Sequence, residues 1–450
     1  MSTEAEPDKA ALAERSKPAQ AEAIKARKAE PDAEPAGQAQ GSDWLAGYPQ
    51  DAAGGDLFRG AEPSVAKRWA QVAGGLSALA GGNVAGFEEQ LGRQIREQGL
   101  TYRVTGDAEE RDWPLTPMPL LIGADEWAQV ERGLIQRARL LEAVVADIYG
   151  PQMLVQEGHI PAAVVAGSPY FARSMVGLQP LAGHFLHVYA VDLARGPGGQ
   201  WRVLADRMRL ANGVGYALEN RLAISRSSAA LLADAQVRRL SGFFAHMRDG
   251  IAHDCARENP RIALLTPGRL NQSHSEQAYL ARYLGLPLVE GRDLMVADER
   301  LYLRTIAGPK RIDALWRWID TNALDPLHFD ARSGLGVPDL FSAWARGGLE
   351  MANWPGVEVI ESRALTAFLP RLFGVLLDEE ALLPNIATWW CGQEAEADHV
   401  RERMDELVIA PAFASVADAL AGKRPVAGAA LGKRQRETLL AAMARRPMDY

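Results

Sequence analysis

The chain has 450 residues, 48% of them apolar and 24% charged, the proportions of a soluble globular protein with room for two or three domains. Its formal net charge of −8 excludes a nucleic-acid partner held by an excess of Lys and Arg. Its two cysteines, Cys255 and Cys391, lie far apart and outside any CxxC or Cys/His spacing, which excludes a disulfide framework and a zinc site.

Residues 1–41 are Ala, Glu, Lys, Pro and Gln with almost no large apolar side chains, too little to offset the entropy of ordering, so a disordered tail is expected there. Its acidic start, Glu4 and Glu6, does not read as a signal peptide. No later run approaches the roughly 18 apolar residues a spanning helix needs. A cytoplasmic protein without a membrane partner is therefore expected. From Asp43 the composition changes, with Trp44, Tyr48, Phe58 and Trp69 in quick succession. Helical spacing follows in SVAKRWAQVAGGLSAL, in FEEQLGRQIREQG and in ADEWAQVERGLIQRARLLEAVVADIYG, where Trp127, Val130, Leu134, Ala138, Leu141 and Val145 keep the i, i+3/i+4 rhythm and Asp125 is the expected N-cap.

Between residues 184 and 207 the period shortens to strands, HFLHVYAVDLAR and QWRVLADR, joined by Gly196-Pro197-Gly198-Gly199, a hairpin signal. One long helix is expected in LLADAQVRRLSGFFAHMRDGIAHDC. RIALLTPG, SEQAYLARYLG and PLVEG then read as strand, helix, strand, the signature of an α/β layer with parallel pairing. LMVADERLYLR reads as a hairpin, and helices are expected over Leu340–Asn353 and Ala364–Leu377. The fold class is mixed α/β without internal repeats.

Charged residues crowd the end of the second hairpin arm. If the arms pair, Asp192 and Asp206 approach the mouth of one sheet, and two hard oxygen ligands suit magnesium held through a substrate's phosphates; Asp at a strand end is also an ordinary turn former. Arg207 and Arg209 alternate with Met208, so both point one way if the strand persists; they are either a pair of forks for phosphate or carboxylate, or solvated edge residues. Asn212-Gly213-Val214-Gly215 is either an amide nest for an anion or a plain turn. Thr266-Pro267-Gly268 and Asn271 sit where open α/β sheets bind ligands, with a helix cap as the alternative for Asn271. His184 and His187 fall on opposite strand faces, against a shared metal, and Cys391 reads as a packed core thiol. Neither GxGxxG nor GxxxxGK[ST] follows any strand.

The motif order ERGLIQRARLLEAVVADIYGPQ, VYAVDLAR, VLADR with GYALENR, LLTPG with AYLARYLGLPLVEGRDL, LGVPDL and LLPNIATWWCGQ resembles the circularly permuted type 2 ATP-grasp proteins, over roughly residues 55–450. The resemblance implies an ATP-grasp fold in which the metal-side lobe comes first, over residues 42–400, and the nucleotide-gripping lobe begins at 401–450 and is incomplete here. It implies ATP and magnesium, a peptide- or amino-acid-like substrate, and a ligase that joins a carboxylate to an amine through an acyl-phosphate. Asp192 and Asp206 become the implied magnesium ligands. Arg207, Arg209, Asn212 and Arg221 become the implied catalytic residues, and Gly213, Glu219, Asn220 and Asn271 the implied nucleotide contacts. The chain departs from the family at Met208-Arg209-Leu210-Ala211-Asn212-Gly213, at Gln272-Ser273-His274-Ser275 with Gln277, and at Ala410, where the family usually has Lys. These departures open a second expectation, a degenerate relative that serves as a binding or scaffolding subunit, with a protein partner completing the site.

Overall fold

A computed structural model describes residues 63–79, 84–104, 107, 109–116, 118–196, 198–413 and 424–450. The expected tail, with Trp44, Tyr48, Phe58 and Pro197, lies outside the described residues. Among them, no helix is long and apolar enough to cross a membrane.

The centre is a four-stranded, fully parallel sheet in the order β11-β10-β5-β6, with β5 (Ile262–Leu265), β6 (Leu288–Val289), β10 (Ala314–Arg317) and β11 (Glu350–Ala352). Every residue of β5 and of β10 is buried, as expected of strands covered on both faces. The two faces alternate along the chain. Ala263, Leu265, Leu315 and Met351 join the core that contains helix α3 (Ala124–Tyr149) and α7 (Leu340–Ala345). Ile262, Leu264, Ala314, Trp316 and Ala352 face α5 (Ser241–His253) and α6 (His274–Leu284).

Around this sheet, among the described residues, stand four antiparallel devices. The hairpin β3 (Ala190–Arg195) and β4 (Trp201–Arg207) forms within the expected span of residues, with a bulge after Asp192. β7 (Leu294–Ala297), β8 (Arg300–Leu303) and β9 (Lys310–Ile312) make a meander. A short ribbon, β1 (Thr101–Arg103) with β2 (Glu110–Asp112), packs with α1 (Pro63–Leu79) and α2 (Val84–Glu97) near α4 (Val214–Asp234), where Trp113 stacks on Tyr216 at 3.8 Å between ring centroids. At the C-terminal side α8 (Glu394–Glu402), the pair β12 (Val408–Ile409) with β13 (Val426–Ala427), and α9 (Lys433–Arg445) surround Cys391, Val400, Met404 and Met443.

Four local expectations are corrected. The long helix α3 starts at Ala124 rather than after an Asp125 cap: Gly123 precedes it, and the Gly123 N–H reaches Glu126 Oε2 at 3.4 Å. The single helix expected over 231–255 is two, because Gln236 takes a left-handed conformation (φ 50°) and the Val237 N–H closes back onto the Leu232 carbonyl at 3.0 Å, a helix-ending turn usually made with Gly. Finally, the helix expected over Leu340–Asn353 stops at Ala345, and after Gly347-Gly348 the chain becomes β11, pairing with β10; Ala364–Leu377 is likewise broken into single turns.

Candidate functional site

The described chain carries an open pocket, about 640 Å³ of empty space with its mouth included, between the end of β4, the turn at Pro169-Tyr170, the stretch Glu361–Thr366 and Phe413. Three arginines line it: Arg207, Arg209 and Arg363. Arg207 leaves the last position of β4 exposed, and its Nε and Nη2 donate to Asp192 Oδ2 at 3.0 and 2.6 Å. Arg209 lies deeper. Its Nη1 donates to Asp320 Oδ1 at 2.7 Å, its guanidinium covers the Tyr170 ring at 5.2 Å, and Glu361 Oε2 stands 3.7 Å from Nε. Burial opposes the Arg209 charge, but Asp320, Tyr170 and Glu361 outweigh it and hold the guanidinium above its usual range. Arg363 donates to the Pro411 carbonyl at 3.2 Å and meets no carboxylate at ion-pair distance among the described residues. Burial and the neighbouring Arg207 charge lower its pKa. Like charges crowded at one opening favour an anion from outside.

The floor of the pocket is a buried polar clamp. Arg137, fully buried on α3, donates from Nε and Nη2 to Asp206 Oδ1 and Oδ2 at 2.7 and 2.6 Å, and Tyr189 donates to Oδ1 at 2.7 Å. The remaining Arg137 nitrogen bonds Asn385 Oδ1, and Asn385 Nδ2 donates to the Thr366 carbonyl at 3.1 Å. The Pro384–Ile386 segment also lies beside β4, with Val203 N–H to the Pro384 carbonyl and Ile386 N–H to the Val203 carbonyl. The clamp therefore joins α3, β4 and the two segments that carry Thr366 and Asn385. In the sequence Arg137 falls on the apolar stripe of α3, between Leu134 and Leu141, and a lone charge on a core-facing stripe is the signal that marks it.

The hairpin register corrects the metal expectation. Asp206 pairs opposite Val191, and Asp192 opposite Ala205, so the two carboxylates point to opposite faces of the ribbon. Asp206 is 3% exposed with both oxygens spent on Arg137 and Tyr189, and Asp192 Oδ2 is paired with Arg207. Among the described residues no three His, Cys, Asp or Glu side chains are grouped to hold a metal ion. Magnesium does not fit this pair.

The amide nest exists, but the protein fills it with its own anion. Gly213 N–H and Gly215 N–H donate to Glu276 Oε1 at 2.6 and 2.9 Å. Gly213 has φ of 108°, and a Cβ on Gly215 would stand 2.6 Å from Glu276 Cγ, so both glycines are needed for this approach. Asn212 is exposed beside them. The implied nucleotide and catalytic contacts on α4 diverge from the pocket: Asn220 accepts from Trp113 Nε1 at 2.8 Å, Arg221 donates to the Arg238 carbonyl at 2.9 Å, and Glu219 is buried against Tyr279. Asn271 Oδ1 accepts from Ser273 N–H and Gln277 Nε2 at 3.0 and 3.1 Å, the local turn rather than a ligand contact. Of the implied residues, Asp206, Arg207 and Arg209 line the pocket and Asp192 touches it through Arg207. Arg363, Glu361 and Tyr170 were not singled out by the sequence reading, and no spacing signal in it marks them.

Burial pushes the Glu276 carboxyl up to about 7 against the two glycine amides, which pull the other way. A folded pKa raised above the ordinary 4.5 means that the folded chain holds an extra proton between these values. That contribution is complete below 4.5 and is lost as pH rises through about 7. Glu276→Gln mimics the protonated form, so its melting temperature relative to the parent is expected to be higher at pH 8 than at pH 5, measured by calorimetry; an equal or reversed difference rules the burial argument out.

The family model of circularly permuted ATP-grasp type 2 matches residues 119–450. An uncharacterized protein of Mycobacterium tuberculosis is 37% identical over 325 residues, covering 72% of this chain and 59% of the relative. One of Synechocystis sp. is 34% identical over 318 residues, covering 69% and 66%. The chain thus spans about three fifths of the length of the first of these relatives. Among solved structures, a glutathione synthetase-like effector from Globodera pallida, in its apo form, aligns with a TM-score of 0.45 and 11% identity, covering 76% of this chain and 79% of that one.

Proposed function

Because this chain belongs to the circularly permuted type 2 ATP-grasp family, a carboxylate–amine ligase-like kind, we propose that its arginine-lined pocket receives the anionic end of the reactants in an ATP-dependent ligation of a peptide- or amino-acid-like carboxylate to an amine. In that reaction a carboxylate oxygen bonds the terminal phosphorus of ATP as the bond to ADP breaks. The amine nitrogen then bonds the acyl carbon, phosphate leaves, and the nitrogen gives up a proton. The work of the protein is to place and neutralise charge. Arg207 and Arg363 offer forks at the mouth, while Arg209, braced by Asp320 and Glu361, offers a fixed charge at the back. No side-chain nucleophile is needed.

The observation that carries this reading is the convergence of three guanidiniums on one opening, with Arg363 bonded to a carbonyl oxygen alone among the described residues. Its test is ADP release from ATP by the purified chain with panels of amino acids and short peptides as carboxylate and amine. Release that requires both substrates and falls at least tenfold in Arg209→Ala is the expected result; no release above the substrate-free rate removes catalysis by this chain alone. A second reading, a binding or scaffolding subunit completed by a protein partner, is favoured by Asp206, whose carboxylate is consumed by Arg137, and by Ala410 beside β12. It expects ATP binding without turnover.

A further inference from the structure

We propose that the pocket holds its anion through guanidinium groups alone, without a divalent cation. The inference rests on the reading of this pocket as the anion seat, and it adds how that seat is charged. Every carboxylate around the pocket already has a cationic partner: Asp206 has Arg137, Asp192 has Arg207, and Asp320 and Glu361 share Arg209. Glu361 is further committed through Oε1 to the Met208 and Arg209 N–H groups. Among the described residues no three acidic, His or Cys side chains are grouped to hold a metal ion, and a divalent ion entering here meets three guanidiniums, Arg363 among them without a carboxylate at ion-pair distance.

An anion meets the opposite situation. Arg363 presents its remaining donors, and Arg207 is held by one exposed ion pair with Asp192, both side chains about half exposed. Exposed pairs of this kind are weak and exchange readily for a better acceptor. A triphosphate or carboxylate can therefore replace Asp192 on Arg207 while it takes Arg363, and Arg209 stays fixed behind. Asp192 acts as the placeholder for the ligand, not as a metal ligand. Magnesium in solution lowers the charge of a triphosphate before it arrives and weakens its attraction to arginine.

The test is calorimetric titration of ATP, and separately of inorganic tripolyphosphate, into the full chain in magnesium chloride and in EDTA, with Asp192→Asn and Arg363→Ala beside the parent. Both positions are at the surface, and circular dichroism checks that the variants fold. The expected result is binding in EDTA at least as tight as in magnesium, tighter by about two- to fivefold in Asp192→Asn and weaker by about ten- to a hundredfold in Arg363→Ala. Binding that needs magnesium and is lost in Asp192→Asn overturns the inference and leaves the pocket as the anion seat. No binding of either probe in either condition overturns both.

Discussion

Replacing Arg137 with methionine is expected to destabilise the folded chain by about 3–5 kcal/mol, because it leaves the buried Asp206 carboxylate without its partner. The pair is closed off from solvent, with side-chain exposures of 0% and 1%, so water cannot take over from the lost guanidinium. The loss extends beyond one ion pair: Asn385 also bonds Arg137, and the segment carrying Thr366 is held through Asn385. Urea unfolding of the parent, Arg137→Met, and the double variant Arg137→Met with Asp206→Leu measures this. The double variant should recover most of the loss, since a buried apolar pair of similar volume is often tolerated as well as the ion pair. A single variant that loses less than about 1 kcal/mol, the scale of an ordinary net hydrogen bond, would mean that Asp206 finds water or another donor and that the clamp does not hold β4 in place.

Glu358→Ala is expected to cost a similar amount, about 3–5 kcal/mol, at the second buried pair. Glu358 accepts from Arg317 Nη1 at 2.9 Å, from Thr321 N–H at 3.0 Å, from Thr321 Oγ1 at 2.7 Å and from Gly356 N–H at 3.0 Å. Arg317 ends β10; its Nη1 also donates to the Ile319 carbonyl, and its Nε and Nη2 donate to the carbonyls of Asn353 and Trp354. Burial works to raise the Glu358 pKa, but Arg317 and the Thr321 hydroxyl outweigh it and hold the carboxyl below its ordinary 4.5. A depressed folded value stabilises the protein above the ordinary one and loses that contribution as pH falls through it. The gap between parent and variant should therefore narrow when unfolding is repeated at pH 3 rather than pH 7. A gap that widens in acid would show that the ion pair is not the source of the loss. Asp320 lies three residues beyond Arg317 and braces Arg209, so the variant should also weaken ATP binding in the pocket.

Much of the architecture was legible in local pattern. Two of the parallel strands, β5 and β6, read as short apolar runs, whereas β10 was not singled out, and the hairpin of β3 and β4 was marked by its glycine-rich turn. The core stripe of α3 was marked by its 3.6-residue rhythm, and Val130, Leu141 and Val145 are buried. The errors came where a boundary depends on one residue's backbone. Gln236 ends α4 in a conformation normally given to glycine, and Glu350-Met351-Ala352 has no strand signal of its own but completes a sheet whose edge is offered by β10.

By itself, then, the sequence determined the fold class, the family and the position of a charged cluster after β4, because periodicity, turn residues and motif order are local properties of the chain. Only the tertiary structure decided what those charges do. Whether Asp206 faces a metal or an arginine depends on the pairing register of β3 with β4 and on Arg137, which is 69 residues away. Whether the Gly213 and Gly215 amides are open to a ligand depends on Glu276, on α6. Arg363 joins the pocket lining only where the stretch 361–366 meets β4. A side chain's charge is written in the sequence, but whether it is free to act is set by the partner that packing brings to it.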